Sequence, residues 1–188
     1  MQVSESALAA ARLIDRIERL SRSGVPVHGL NPAQWDALRY LARANRFSRT
    51  PAGLAAYLGS TRGTVSQTLI ALEQKGFVAR RASERDRRSV ALGLTERGAS
   101  ALDEDPLLAI AGDVAAATGG DATPAVALLE GVLRAAVRRN GGRRFGVCRS
   151  CRHFGDAPAG AGPHYCALLR EPLSEVDSGH ICVEQEEA

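Results

Sequence analysis

TPAGLAAYLGSTRGTVSQTLIALEQKGFVARRASERDRRSVALGLTERG, residues 50–98, decides the fold of this 188-residue chain. Thr50-Pro51 is a helix-start pair, a capping side chain followed by a residue whose fixed φ suits the first helical position. The helix it opens is short, with Leu54, Ala55 and Leu58 inward, and Gly59 stops it. Ser60 and Thr61 can cap a second helix that runs to about Lys75 and ends at Gly76. Val65, Leu69 and Leu72 form its buried stripe, leaving Arg62, Gly63, Ser66, Gln67 and Ile70 on other faces. Beyond Gly76 the period changes. "FVARRA" and "SVALGL" read as two short strands, with Val90, Leu92 and Leu94 alternating at period two. The charged "SERDRR" between them is a hairpin tip.

A short helix, a tight turn and a second helix led by small polar residues make a helix-turn-helix. The second helix enters a major groove only if its leading side chains do not hold the backbone away. Ser60, Thr61, Gly63, Thr64 and Ser66 meet that need, and Arg62 and Gln67 can reach guanine and adenine edges. The hairpin then projects as a wing bearing Arg85, Arg87 and Arg88, side chains suited to a narrow minor groove. Asp86 on that tip reads as an internal acceptor that holds an arginine or the turn backbone in place.

Charge supports this reading. Between Arg43 and Arg88 ten basic residues face three acidic ones, a local +7 on a chain whose net charge is only +3. Such a field on a near-neutral protein is a polyanion-binding face. The hydrophobic fraction is 45%, aromatics are 4%, and Ala and Leu dominate the apolar content. The expected fold class is therefore mainly α with a small β-hairpin wing (α+β), a winged helix-turn-helix.

Outward from the quoted stretch, Asn31-Pro32 repeats the start signal, and Trp35, Leu38, Leu41 and Ala42 follow at helical spacing. Residues 5–20 form an amphipathic helix. A helix opened by Thr95 runs to about Thr118 with an interruption near Asp105-Pro106, and a last one spans Ala125 to Arg139. With no apolar run of membrane-spanning length and no signal-peptide pattern near the start, a cytoplasmic location is expected. An enzyme is not: no nucleophile–base–orienter set or phosphate loop is visible.

"GFVARRASERDRRSVALGLTERG" resembles the wing signature of the MarR family of bacterial transcription regulators, at Asp86, Arg88, Leu92, Leu94, Thr95 and Gly98. "LNPAQWDALRYL" and the segment from Thr50 to Val78 are similar to the family's preceding segments. The resemblance covers about residues 5–140. It implies a homodimer on double-stranded DNA with a pseudo-palindromic operator, usually as a repressor, and a small-molecule effector between the dimer helices and the DNA-binding lobe. Its dimerisation helices would lie at about 3–22 and 96–140, within a winged-helix unit of residues 1–142. A winged helix repurposed as a protein-interaction module and stabilised by a zinc clip is the alternative.

Residues 143–188 form a different unit. Cys148, Cys151, Cys166 and Cys182 all fall in the last 41 residues, as C-x2-C, then fourteen residues and a cysteine, then fifteen and another. So small an appendage needs a staple. Four thiolates make one metal centre per chain, with structural zinc ahead of an iron–sulfur cluster. The single C-x2-C knuckle departs from the two of an ordinary zinc ribbon. His153, His164 and His180 lie nearby; one could replace a cysteine as ligand, but with four thiolates completing the set they read as surface residues or as residues supporting the ligands.

Overall fold

The computed structural model describes residues 3–23, 26–82, 89–158 and 162–187. Three helices and a hairpin build the central lobe. Helix α2 (Pro32–Arg43) starts on a reciprocal cap: Gln34 N–H donates to Asn31 Oδ1 at 2.9 Å, and Asn31 N–H donates to Gln34 Oε1 at 3.1 Å. Thr50 caps α3 (Pro51–Leu58) through the Gly53 N–H, and Gly59 ends it at a φ of 58°, a conformation suited to glycine. Thr61 then caps α4 (Arg62–Gln74) through the Thr64 N–H at 3.1 Å. Strands β1 (Val78–Ala82) and β2 (Val90–Leu94) pair antiparallel, with Val78 opposite Leu94 and Ala82 opposite Val90.

Trp35, Leu38, Leu41, Leu54, Val65, Leu69, Leu72, Phe77 and Leu92 fill the core between these elements. Thr95 closes it. Its N–H donates to the Phe77 carbonyl, its hydroxyl donates to the Gly76 carbonyl at 2.7 Å, and its Oγ1 accepts from Gly98 N–H as cap of α5 (Glu96–Ala101). The Leu-Thr-x-x-Gly run is thus a clasp between hairpin and helix. This is a winged helix, as the sequence predicts.

Helix α1 (Glu5–Arg22) precedes the lobe, and α6 (Leu107–Ala117) and α7 (Thr123–Arg139) follow it. A half-buried ion pair ties α6 to the lobe. Arg39 Nε and Nη2 reach the two Asp105 carboxylate oxygens at 2.8 and 2.5 Å, while Leu107 N–H donates to Oδ1 at 2.8 Å. Burial alone would raise the Asp105 carboxyl, but the Arg39 hydrogen bond, the Leu107 amide and the Arg39 charge hold it below its ordinary value. A depressed carboxyl stabilises fully above the ordinary aspartate value, near pH 4, and loses that contribution as pH falls through its folded value. Asp105→Asn should therefore cost about 2 kcal/mol at neutral pH. In urea melts its gap from the parent should close below about pH 4; an unchanged gap in acid would remove this role.

The chain from residue 143 onward is not a separate layer. Strands β3 (Gly146–Val147) and β7 (Ile181–Cys182) pair antiparallel, and β4 (Phe154–Asp156), β5 (His164–Cys166) and β6 (Glu171–Leu173) form a three-stranded sheet. Helix α8 (Glu175–Gly179) lies between β6 and β7. This tail docks on the α2–α3 corner. Ile181 is buried in the core of the central lobe, its carbonyl accepts from Asn45 N–H at 2.9 Å, and Val183 N–H donates to Ser48 Oγ at 2.9 Å. Asp177 accepts from Arg46 Nη1 at 3.0 Å, and the Phe145 ring stands edge-on to Tyr57 and Tyr40. Across the boundary near residue 142, Phe145, Val147 and Ile181 join the core of the central lobe, while Cys148, Cys166 and Leu173 form a second buried cluster.

Candidate nucleic-acid interface

Helix α4 is held by Val65, Leu69 and Leu72, all buried. At 100° per residue, the direction opposite that stripe belongs to Gly63, Gln67, Ile70 and Gln74. Gln67 and Ile70 are exposed there, and Gly63 leaves a gap in the row: a Cβ at that position would meet nothing nearer than Thr61 Oγ1 at 3.9 Å. Exposed Arg62 and half-buried Ser66 flank the row on one side, and Thr64 lies on the other. The Thr61 and Thr64 hydroxyls are 2.9 Å apart and already engaged in the cap. Ser60 is half-buried in the turn, where its N–H donates to the Ala55 carbonyl. The base-reading capacity of this helix therefore rests on Arg62 and Gln67, with the small residues setting how closely a duplex can approach.

Arg85, Asp86, Arg87 and Arg88, the expected wing tip, lie outside the described residues. The strands leading to the tip are described, and they carry a cationic surface that the motif reading did not single out. A cleft of about 380 Å³ beside the hairpin is lined by Arg46, Arg49 and Arg81 together with Leu92 and Gly93. Arg49 is fixed there from both sides. Its Nε donates to the Ala44 carbonyl at 2.9 Å, and its own carbonyl accepts from Leu92 N–H at 2.7 Å, docking the α2–α3 loop on β2. The only early signal was membership in the basic window.

Several charges in that window are spent internally. Arg46 pairs with Asp177, Arg80 with Glu73 at 3.2 Å, and Lys75 Nζ donates to the Gly29 carbonyl and Gln34 Oε1. The outward field is smaller than the local count of +7 suggests, and among the described residues it rests on Arg43, Arg49, Arg62 and Arg81.

The flanking helices present a second surface. No residue of α1, α6 or α7 is buried, although each is rich in large apolar side chains. Leu13, Leu20, Leu108, Leu128 and Leu133 are all more than half exposed. Between α1, the start of α2 and Pro106-Leu107 lies a cleft of about 240 Å³, lined by Arg22, Trp35, Asp36 and Arg39 among others.

The tail gathers its four cysteines. Gly146 pairs with Cys182, so Cys148 sits diagonally across from Cys182, and its N–H donates to the His180 carbonyl at 2.9 Å. Cys151 closes the knuckle with its N–H on the Cys148 carbonyl at 3.0 Å, and Phe154 N–H then donates to the Cys151 carbonyl. Phe154 in turn pairs with Cys166, which shares a buried cluster with Cys148, Leu173, Phe154, Leu169 and Phe47. All four cysteines are free thiols. Burial, together with the neighbouring Cys182, Cys166 and Cys151 thiols, pushes the Cys148 thiol up to about 12. His164 Nε2 lies 3.1 Å from Glu175 and its ring packs on Phe154, while His153 faces Glu186.

The MarR family model matches residues 28–89. The transcriptional repressor MprA of Escherichia coli K12 is 37% identical over 76 residues, which are 40% of this chain and 43% of that repressor. The chain thus spans less than half the length of the curated relatives it matches. Among solved structures, the transcriptional regulator BldR from Sulfolobus solfataricus is 25% identical with a TM-score of 0.55, covering 73% of this chain and 99% of its own. CouR from Rhodococcus jostii RHA1, solved bound to p-coumaroyl-CoA, is 19% identical with a TM-score of 0.56, covering 72% and 95%. These likenesses cover nearly three quarters of the chain, more than the central lobe alone.

Proposed function

We propose that the chain, whose residues 28–89 match the MarR family model, is a sequence-specific DNA-binding transcriptional regulator that represses from a pseudo-palindromic operator. The observation that carries this reading is the outward row of α4. Gly63 and Gln67 lie opposite a fully buried stripe, flanked by Arg62 and set beside a hairpin bearing exposed Arg81. Gln67 can make paired hydrogen bonds to adenine and Arg62 to guanine, while Arg49 and the wing arginines contact phosphate or the minor groove.

The regulator acts as a homodimer. In support, the leucines of α1, α6 and α7 have no cover within the chain, and apolar surface of that extent marks an interface. A two-fold arrangement would place two α4 helices about 34 Å apart, one turn of duplex. The cleft between α1, α2 and α6 is where a small effector would act, since it joins the dimer helices to the reading lobe through the Arg39–Asp105 pair.

Gel retardation with genomic fragments tests the reading. Purified protein should run at about twice its 19.9 kDa chain mass in sedimentation and retard a small set of fragments. Gln67→Ala and Arg62→Ala should each weaken binding by about 5- to 150-fold at the preferred site and relax base preference there. Arg88→Ala should weaken all fragments alike and lower the salt slope by about 1. Retention of full affinity and selectivity by both helix variants would exclude α4 as the reading element.

A further inference from the structure

The four cysteines are not used by the reading helix or by the apolar helix faces, yet the tail spends three separate strand pairings on bringing them together. Cys148 and Cys151 come from one knuckle, Cys166 from the sheet and Cys182 from the last strand. A single zinc ion bound at about 2.3 Å to each sulfur would draw those sulfurs to about 3.8 Å from one another. Among the described residues no three His, Cys, Asp or Glu side chains are grouped as ligands of one ion. Two of the thiols, Cys148 and Cys166, share one buried apolar cluster with Leu173, Phe154, Leu169 and Phe47. One sulfur already takes a backbone donor, Glu186 N–H to Cys151 Sγ at 3.5 Å, as sulfurs ligating clusters commonly do. The second C-x2-C knuckle of a zinc ribbon is missing, and two strands supply its cysteines instead.

We propose that Cys148, Cys151, Cys166 and Cys182 ligate one iron–sulfur cluster, which staples the tail onto the α2–α3 corner. Ligation replaces four S–H bonds by four S–Fe bonds, and four protons pass to solvent. No electron is transferred in that step when iron is supplied half ferrous and half ferric with sulfide. Arg149, carried on the knuckle between Cys148 and Cys151, is held by Ser178. The cluster acts on the whole lobe because Ile181, the neighbour of Cys182, is buried in the core around Trp35 and Leu41.

The proposal stands independently of DNA binding and is tested without DNA. The full chain is purified under argon and reconstituted with iron and sulfide, with zinc alone in a parallel sample. The expected result is a brown protein with charge-transfer absorption in the visible and two or four irons per chain, with equal sulfide. Its melting midpoint should be about 5 °C or more above that of the metal-free chain. Cys166→Ser and Cys151→Ser should each lose the absorption; Cys151 is only half buried, so its variant should keep the far-ultraviolet dichroism of the metal-free parent. A chain that stays colourless after reconstitution overturns the proposal, as does one that takes up one zinc per chain in preference to iron and sulfide. A cluster that survives both serine substitutions overturns the ligand assignment.

Discussion

Gly98→Ala is expected to destabilise the fold severely. A Cβ at Gly98 would lie 2.0 Å from the Phe77 carbonyl oxygen and 3.0 Å from its carbon, both main-chain atoms. That oxygen cannot retreat cheaply, because it accepts the Thr95 N–H that starts the clasp between the hairpin and α5. Phe77 is itself buried in the core, so moving its backbone disturbs the packing of Val78 and Leu92. Overpacking against backbone costs about 3 kcal/mol or more, a large part of the 5–15 kcal/mol, roughly, that holds a domain together. The effect is steric and owes nothing to helix propensity, and Gly112→Ala is the control. Gly112 sits within α6 with nothing within 4 Å of its would-be Cβ, so alanine there should be neutral or add up to about 1 kcal/mol. Thermal melts of the two variants decide the matter, and a Gly98→Ala protein melting near the parent would refute the clasp.

Ile181→Ala is expected to cost about 2–4 kcal/mol, the range for removing a large aliphatic side chain from a packed site. The more telling outcome is where the loss is felt. Trp35, the single tryptophan, lies buried in α2 and reports the central lobe, whereas Ile181 belongs to the tail. The two share one apolar cluster, and the Asn45 and Ser48 hydrogen bonds bracket Ile181 on either side. Urea titrations followed by Trp35 fluorescence should therefore shift to lower midpoint together with the far-ultraviolet signal, in one transition. A Trp35 transition untouched by Ile181→Ala would show that the tail is a passenger.

Much of the lobe was legible because its signals are local. Asn31, Thr50, Thr61 and Thr95 each act as the cap that their position before a helical pattern predicts, and Gly59 and Gly76 end helices where they stand. The stripe of Val65, Leu69 and Leu72 and the alternation of Val90, Leu92 and Leu94 fixed which faces turn inward. The docking of the tail was not legible. Ile181 and Phe145 are isolated apolar residues in a stretch without periodicity, and nothing beside them points to Tyr40 or Asn45 as partners. The Arg39–Asp105 pair, 66 residues apart, was hidden for the same reason. Within the candidate site, helix position identified Gln67 and Gly63. Arg49 escaped notice because its role depends on a loop settling against β2.

The contact between Ser48 and Val183, 135 residues apart, sets an order of events during synthesis. At about 5–20 residues per second, some 7–27 s separate the emergence of those two residues from the ribosome. Helices α2 to α4 and the hairpin have ample time to collapse in that interval, but they do so with an open notch where Ile181 belongs. Until it is filled, the Asn45 amide and the Ser48 hydroxyl lack these partners, and the corner that carries α2 into α3 lacks its backing. The packing of the lobe is thus completed only once the strand that carries Ile181 has been made.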